Sequence, residues 1–381
     1  METRVAQKND KELVKNLWEN SFNYSKSFID WYFEKAYDPE NTFITSKDST
    51  VISSLSIIPQ NIRVAGFETD AAYVAGLAIP PEYRDEETLK KQLADTIAAV
   101  ENKDCLLSIV VPSNYKFYER YGWRTSYSYK QYDIKPTDLP AYQIKGRIVR
   151  PTLNEGTINS LSEIYKDYVS DKNAYIVRSQ KDWQLILEDL FGNFGGKCVI
   201  FHDLQNNPAG YMLYIIRDRK MCIYEFAYKN RAAYESLMGF VRSHELNVDS
   251  VAIKAPADDL SYLDFCDNRM AVHFCPFAMT RISNARRALK IASVNCFEKF
   301  NFQIIDRLIE NNNKTFMVCN GEAFETEEPA DVITDIGTLT QMFIGYIDVD
   351  DAKRMNLISG NDELLKMIFE KKNNYINMLL L

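Results

Sequence analysis

Residues 73–123 carry a strand, a loop, a helix, a second strand, a proline and an aromatic turn in one continuous order, and few folds accept that order. Val74, Leu77 and Ile79 form an apolar run closed by Pro80 and Pro81, the pattern of a strand buried on both faces. From Thr88 onward, Leu89, Leu93, Ile97 and Val100 recur every three or four residues, with Lys90, Lys91, Asp95 and Glu101 between them. This spacing predicts an amphipathic helix with one face on a sheet. Leu106, Leu107, Ile109, Val110 and Val111 make a second buried strand, ended by Pro112. A strand that feeds a helix N-terminus presents unpaired backbone N–H groups and a positive dipole end, a natural seat for a pyrophosphate.

At 381 residues the chain exceeds one ordinary core, so two or three domains are expected. A net charge of −8 argues against a general nucleic-acid binder. No apolar run approaches the roughly 18–20 residues of a membrane span, and Met1-Glu2-Thr3-Arg4 does not begin a signal peptide. A cytoplasmic protein with neither nucleic-acid nor membrane partners is therefore expected. Cys105, Cys198, Cys222, Cys266, Cys275, Cys296 and Cys319 are odd in number and hold no Cys-x-x-Cys pair, so they read as reduced core thiols. His202, His244 and His273 lack ligand spacing, and no metal is expected. Gly192–Gly196 follows a helical pattern and reads as a turn. Asp348, Asp350 and Asp351 lack the glycine and distal glutamate of a calcium loop, and read as a solvated helix start.

The order recurs 144 residues later, counted from Pro112 to Pro256: Ile223–Tyr228, then Ala232–Arg242, then Val251–Ala255 and Pro256. The second copy has Tyr228-Lys229-Asn230-Arg231 before its helix and Ala257-Asp258-Asp259-Leu260 after its proline. The bland alternative is that any two αβ units look alike. Two prolines within Ile134–Pro140 mark a first boundary just beyond, and Met279-Thr280-Arg281-Ile282 marks a second. The expected domains are 1–142, 143–280 and 281–381. The last is expected to start with a helix near Asn284–Ala292 and to carry further helices around Leu339–Phe343 and Leu364–Phe369.

Pro81-Glu82-Tyr83-Arg84 and Phe117-Tyr118-Glu119-Arg120-Tyr121-Gly122-Trp123 resemble the cofactor-loop and catalytic-tyrosine motifs of a GNAT N-acetyltransferase. The three-part order resembles the enhanced-intracellular-survival (Eis) branch of that superfamily, with its C-terminal sterol-carrier-like domain. Met279–Ile282 through Ala288-Leu289, Thr338–Tyr346 and the aromatic Asp30-Trp31-Tyr32-Phe33 carry that likeness. The resemblance implies an α+β protein: two tandem GNAT-like mixed αβ domains followed by a sterol-carrier-like α+β domain. It also implies a homo-oligomer.

The activity so implied is direct acetyl transfer from acetyl-CoA to an amine, on a small molecule or a lysine, without a covalent enzyme intermediate. Tyr118 matches the general acid; a phenol near its reference pKa of about 10 is close enough to a thiol to protonate the leaving sulfur. The C-terminal carboxylate, here on Leu381, is the implied base or substrate anchor. Leu77, Ala78 and Ile79 would align the pantetheine arm and polarise the carbonyl; Arg84, Glu87, Thr88, Leu89 and Asn114 complete the implied cofactor set. Phe22 and Trp31 are implied walls of the acceptor pocket, although Trp18, Phe22, Trp31, Tyr32 and Phe33 also fit a plain helical core pattern.

The chain departs from the family where Glu87 and Leu89 take the two small-residue positions of a glycine-rich loop. Asp85, Glu86 and Glu87 put three carboxylates where the pyrophosphate belongs. At roughly 6 Å and an effective dielectric near 20, each unrelaxed repulsion is on the order of 2–3 kcal/mol. The same residues also read as a helix that caps its own first turn and needs no anion. The tail, Tyr375-Ile376-Asn377-Met378-Leu379-Leu380-Leu381, lacks the family's acidic closing residue. Two other functions stay open on these residues: a GNAT-fold binding protein with impaired coenzyme A affinity, and an apolar-ligand carrier acting through the third domain.

Overall fold

The computed structural model describes residues 1–265 and 270–377. It divides into two compact units. One holds Met1–Tyr127, Asn173–Val177 and Phe277–Asn374; the other holds Ser128–Lys172, Arg178–Pro276 and the tail from Tyr375.

The first unit opens with β1 (Glu2–Val5), the helices α1 (Lys11–Ser21) and α2 (Lys26–Lys35), and the strands β2 (Thr42–Lys47), β3 (Thr50–Val64) and β4 (Phe67–Ala78). Then come α3 (Glu86–Asn102), β5 (Leu107–Val110), the one-turn helix α4 (Tyr115–Glu119) and β6 (Arg124–Thr125). β4 and β5 are parallel neighbours joined through α3, the predicted strand–helix–strand unit. Leu93, Ile97 and Val100 of α3 pack with Leu55, Ile57, Ala72, Val74, Val110 and Trp123, so the apolar stripe legible in the sequence is the face that meets the sheet.

The second unit has its own seven-stranded sheet. In chain order it contains β7 (Ser128–Ile134), β8 (Arg147–Val149), α5 (Glu155–Tyr168), α6 (Gln180–Gly192), β10 (Lys197–His202), β11 (Pro208–Arg217) and β12 (Lys220–Tyr228). It is completed by α7 (Arg231–Arg242), β13 (Ser250–Pro256) and β14 (Ala271–Pro276). The short β9 (Tyr175–Ile176) pairs instead with β3 of the first sheet. β12, α7 and β13 repeat the topology of β4, α3 and β5, parallel strands included.

Strand membership does not follow a simple cut along the sequence. β7 pairs with β13 and β14 of the second sheet, whereas β15 (Met279–Ile282) pairs with β5 and β6 of the first. Beyond β15, the first unit carries α8 (Ala285–Ala292) and a five-stranded sheet of β16 (Phe300–Ile305), β17 (Thr315–Cys319), β18 (Glu322–Glu325), β19 (Val332–Asp335) and β20 (Ile358–Gly360). α9 (Ile336–Phe343) and α10 (Val349–Arg354) follow β19. Asp348 caps α10 as a reciprocal box with Asp351, so these carboxylates are helix-start residues. The helix expected around Leu364–Phe369 is only a 3₁₀ turn, Glu363–Met367. Five residues between two polar stretches are too few to propagate an α-helix.

One buried ion pair ties the aromatic turn of residues 117–123 to this third sheet. Arg281 grips both oxygens of Asp306 at 2.8 and 2.7 Å, donates from Nε to the carbonyl of Tyr121 at 2.9 Å and lies over the Trp123 ring. Gly122 makes this approach possible: a Cβ there would stand 2.7 Å from Ile336 and 3.3 Å from Arg281 Nε.

The conformation of β4 turns on Gly76. Its φ is +61°, and a Cβ at this position would lie 2.1 Å from the indole of Trp18. Gly76→Ala is expected to destabilise the chain by about 2–4 kcal/mol, left-handed strain plus overpacking. Gly66→Ala, where no atom lies within 4 Å of the added Cβ, is expected to cost only about 1–2 kcal/mol. Urea unfolding of the two variants separates the contact with Trp18 from backbone strain.

Candidate functional site

The parallel ladder between β4 and β5 runs from Ala71 opposite Leu107 to Tyr73 opposite Ile109, and stops. β4 continues to Ala78 with β3 on its other side. There Ser56 faces Ala75 while Ser54 faces Ala78, so β4 carries one residue more than its partner. That extra residue is a β-bulge at Gly76–Leu77; bulges bend a strand and turn backbone groups out of the ladder. β4 therefore runs on past the end of its ladder with β5, with Leu77, Ala78 and Ile79 along that edge.

An aromatic wall stands against the bulge. Trp18, on α1, stacks on Tyr32 of α2 at 4.4 Å and meets Phe22 and Phe33 edge-on at 5.5 and 5.4 Å. Trp31 is half-buried beside Phe28, with ring centroids 5.9 Å apart. Phe22 and Trp31 therefore belong to one continuous ring cluster with the core residues Trp18, Tyr32 and Phe33. Sequence spacing identified these residues but missed Tyr24 and Tyr73. Tyr73, the last residue of β4 paired with β5, has its phenol pushed well up by burial and, to a lesser degree, by neighbouring Tyr24, Tyr118 and Tyr32. Four phenols thus gather where that ladder ends. The signal was present in the sequence only as Tyr73 at the end of a small-residue run.

Tyr118 sits on α4, whose first turn is capped by Asn114 Oδ1 accepting from Phe117 N at 3.2 Å. Asn114 thus has a structural task. The Tyr118 ring packs edge-on against Phe117 and Trp123 and lies on the core cluster that includes Leu55, Ile57 and Val74. Burial raises its phenol to about 12, because low-dielectric surroundings disfavour the phenolate. This widens the mismatch with a thiol of reference pKa about 8.5. In this state Tyr118 is a protonated phenol and a weak acid.

At the head of α3, Asp85 is the cap. Its Oδ1 accepts from Thr88 N at 2.7 Å and its Oδ2 from Thr88 Oγ1 at 3.0 Å, which holds the carboxylate below its usual range. The amide that an incoming phosphate would meet in the first turn is already bonded. Of the two sequence readings, the self-capped helix is the one present. Glu86, Glu87 and Arg84 are exposed, Leu89 is half-buried and Thr88 is fully buried. Arg84 Nε donates back to the Ile79 carbonyl at 2.8 Å. That bond draws the Pro80–Arg84 turn onto the end of β4, so Leu77, Ala78, Ile79, Arg84 and Thr88 lie around one corner of the sheet.

Leu381 and Cys266 lie outside the described residues. Among the described residues no group of three His, Cys, Asp or Glu side chains could hold a metal ion, and no helix is long and apolar enough to cross a membrane.

With this geometry in view, sequence models of an acetyltransferase (GNAT) domain match residues 2–126 and, for a second such domain, residues 174–282. The chain belongs to the GNAT superfamily. A sterol carrier protein domain matches residues 285–377, which completes the Eis-like layout. No curated protein matches the chain by sequence. Among solved structures, a conserved protein of Enterococcus faecalis V583, titled a probable N-acyltransferase, shares 21% identity with a TM-score of 0.86 over 99% of both chains. A GCN5-related N-acetyltransferase from Anabaena variabilis shares 19% identity with a TM-score of 0.85 over 98% of both. Eis1 of Mycobacterium abscessus shares 16% identity with a TM-score of 0.77, covering 98% of this chain and 97% of its own. At these identities the likeness is one of fold. The GNAT domains support acyl transfer in general.

The raised phenol fixes the sign of a pH effect. Below pH about 10 Tyr118 is protonated in both folded and unfolded chains, and its stabilising contribution is whole. As pH rises from there through about 12, the unfolded phenol ionises first and that contribution is lost. A difference titration near 295 nm between the wild-type chain and Tyr118→Phe is expected to show one phenol ionising near pH 12. A missing phenol that titrates near pH 10 would place Tyr118 in water.

Proposed function

We propose that the first GNAT domain is an acetyl-CoA-dependent N-acetyltransferase that acts by direct transfer on an amine-bearing small molecule or a lysine. The observation that supports this reading most is the bulged β4 edge with Tyr118 beside it. A thioester laid along that edge would meet outward-turned backbone amides from Leu77 to Ile79, suited to the carbonyl oxygen as negative charge develops. Tyr118 would donate to the sulfur. A developing thiolate strengthens such a bond more than the neutral thioester does, so the donor acts mainly in the transition state. Full proton transfer to sulfur becomes favourable only if the bound cofactor lowers the phenol toward the thiol. Phe22 and Trp31 are proposed as walls for the acceptor.

Coenzyme A would be held at the β4–α3 corner by Arg84 and the backbone there. The fit is mixed. Arg84 is exposed and placed at the corner, while the Asp85 carboxylate occupies the Thr88 amide. That cap favours a second reading, a binding protein on a GNAT scaffold with weakened coenzyme A affinity.

Thiol release from acetyl-CoA, followed with a panel of diamines and lysine peptides, tests the proposal. Turnover is expected, with kcat reduced about 10²-fold or more in Tyr118→Phe and the acetyl-CoA KM nearly unchanged. An unchanged kcat would remove Tyr118 from the chemistry. No turnover with any amine would leave the binding-protein reading.

A further inference from the structure

The second GNAT copy also carries a bulge beyond the end of its parallel ladder, one residue past the last pair rather than three or four. Its parallel ladder ends at Ile223 opposite Ile253, and the β11–β12 register slips between Leu213 and Tyr214, leaving Tyr224 as the extra residue of β12. Two residues beyond the last parallel pair stands Ala75 in the first copy and Glu225 in the second.

Glu225 is fully buried, and its carboxylate is saturated. Arg178 donates to both oxygens at 2.8 and 2.9 Å, the Tyr211 hydroxyl to Oε2 at 2.9 Å, and the Tyr375 hydroxyl to Oε1 at 2.9 Å. Arg178 is itself clasped between the rings of Tyr165 and Trp183, 4.2 and 4.6 Å from their centroids. A buried ion pair is retained at a cost unless every lone pair and proton is used, and here the tail supplies two of the partners. Arg178 Nη2 also donates to the Asn377 carbonyl at 3.0 Å, and Asn377 Nδ2 donates to the carbonyl of Tyr224 at 2.8 Å. The side-chain amide of Asn377 thus bonds to the bulge residue itself. Tyr375, Ile376 and Asn377 line a pocket together with Tyr168, Phe226 and Lys254. The free space left there is about that of one water molecule.

We propose that the second domain has exchanged the thioester cleft of its fold for a receptor that seats the chain's own C-terminal segment, with Glu225 and Arg178 as the positioning residues that hold Tyr375–Asn377 in it. The exchange explains why this copy can lack both the Pro-x-Tyr-Arg loop and the Phe-Tyr turn. Its Lys229 and Arg231 do not wait for a phosphate, because they pair with Glu163 and with Asp264 and Glu235. It also gives the tail a defined seat although its composition is mostly apolar.

Hydrogen–deuterium exchange of the full chain, read by mass spectrometry over peptides spanning 368–377, tests this independently of any turnover. The wild-type segment is expected to be protected. Tyr375→Phe, which removes one bond to a buried carboxylate, is expected to speed its exchange about tenfold or more, with α5 and α6 unchanged. Asn377→Ala is expected to act in the same direction. Acetyl-CoA is expected to leave exchange in β12 and α7 unaltered. A tail that exchanges at the unstructured rate, variants that leave its rate unchanged, or protection of β12 and α7 by acetyl-CoA would each overturn the proposal.

Discussion

One residue too many in β4, set opposite Ser54–Ser56, shapes the end of that strand, and the contact between Gly76 and the Trp18 indole holds that residue in place. The ladder with β5 ends at Tyr73, and the bulge beyond it turns backbone groups out of the ladder with β3. The same contact brings the aromatic helix pair α1–α2 against the end of β4, so the bulged edge and the aromatic cluster are built by one packing event. The Arg281–Asp306 pair fixes the other side. By reaching the Tyr121 carbonyl through the space left at Gly122, it holds the turn that carries Tyr118.

The two GNAT copies share a strand–helix–strand topology with a bulge past the end of the parallel ladder, and differ in what stands there. In the first, Ala75, Gly76, Leu77 and Ala78 form the end of β4 and bring no charged side chain. In the second, Glu225 and its four hydrogen bonds make a buried polar anchor. The helix heads differ as well: α3 is capped by a carboxylate, whereas basic residues flanking the head of α7 are neutralised by Glu163, Asp264 and Glu235. Neither head presents an open set of cations. An anion could bond to the Thr88 amide at the head of α3 only if Asp85 gave it up. The carboxylate cap is worth roughly 1 kcal/mol, less than several phosphate contacts supply.

Much of this was legible in the sequence because it is written locally. The Val74–Ile79 run, the α3 stripe, Pro112 and the Phe117–Trp123 motif each declare an element within a dozen residues, and their order resembled a GNAT core. The repeat was visible as pattern despite little identity. What the sequence did not disclose depends on partners far along the chain. The bulge looks like an ordinary apolar alternation until β3 is laid beside it. Met279–Ile282 reads as a boundary, yet it is a strand of the first sheet, because strand partners are chosen in space. Glu225 meets Arg178 across 47 residues and Tyr375 across 150, and no spacing rule links them. The acidic loop was ambiguous for another reason: repulsion of a phosphate and self-capping of a helix call for the same residues.

Titration calorimetry of acetyl-CoA into the full chain at near-physiological salt tests the central claim most directly, that the bulged edge of the first domain is a cofactor site. The account predicts one binding event per chain, tighter in Asp85→Asn or Glu87→Gly than in the wild-type protein as negative charge leaves the α3 head. No heat at millimolar acetyl-CoA in any of these proteins would contradict it and leave a GNAT scaffold retained for binding something else.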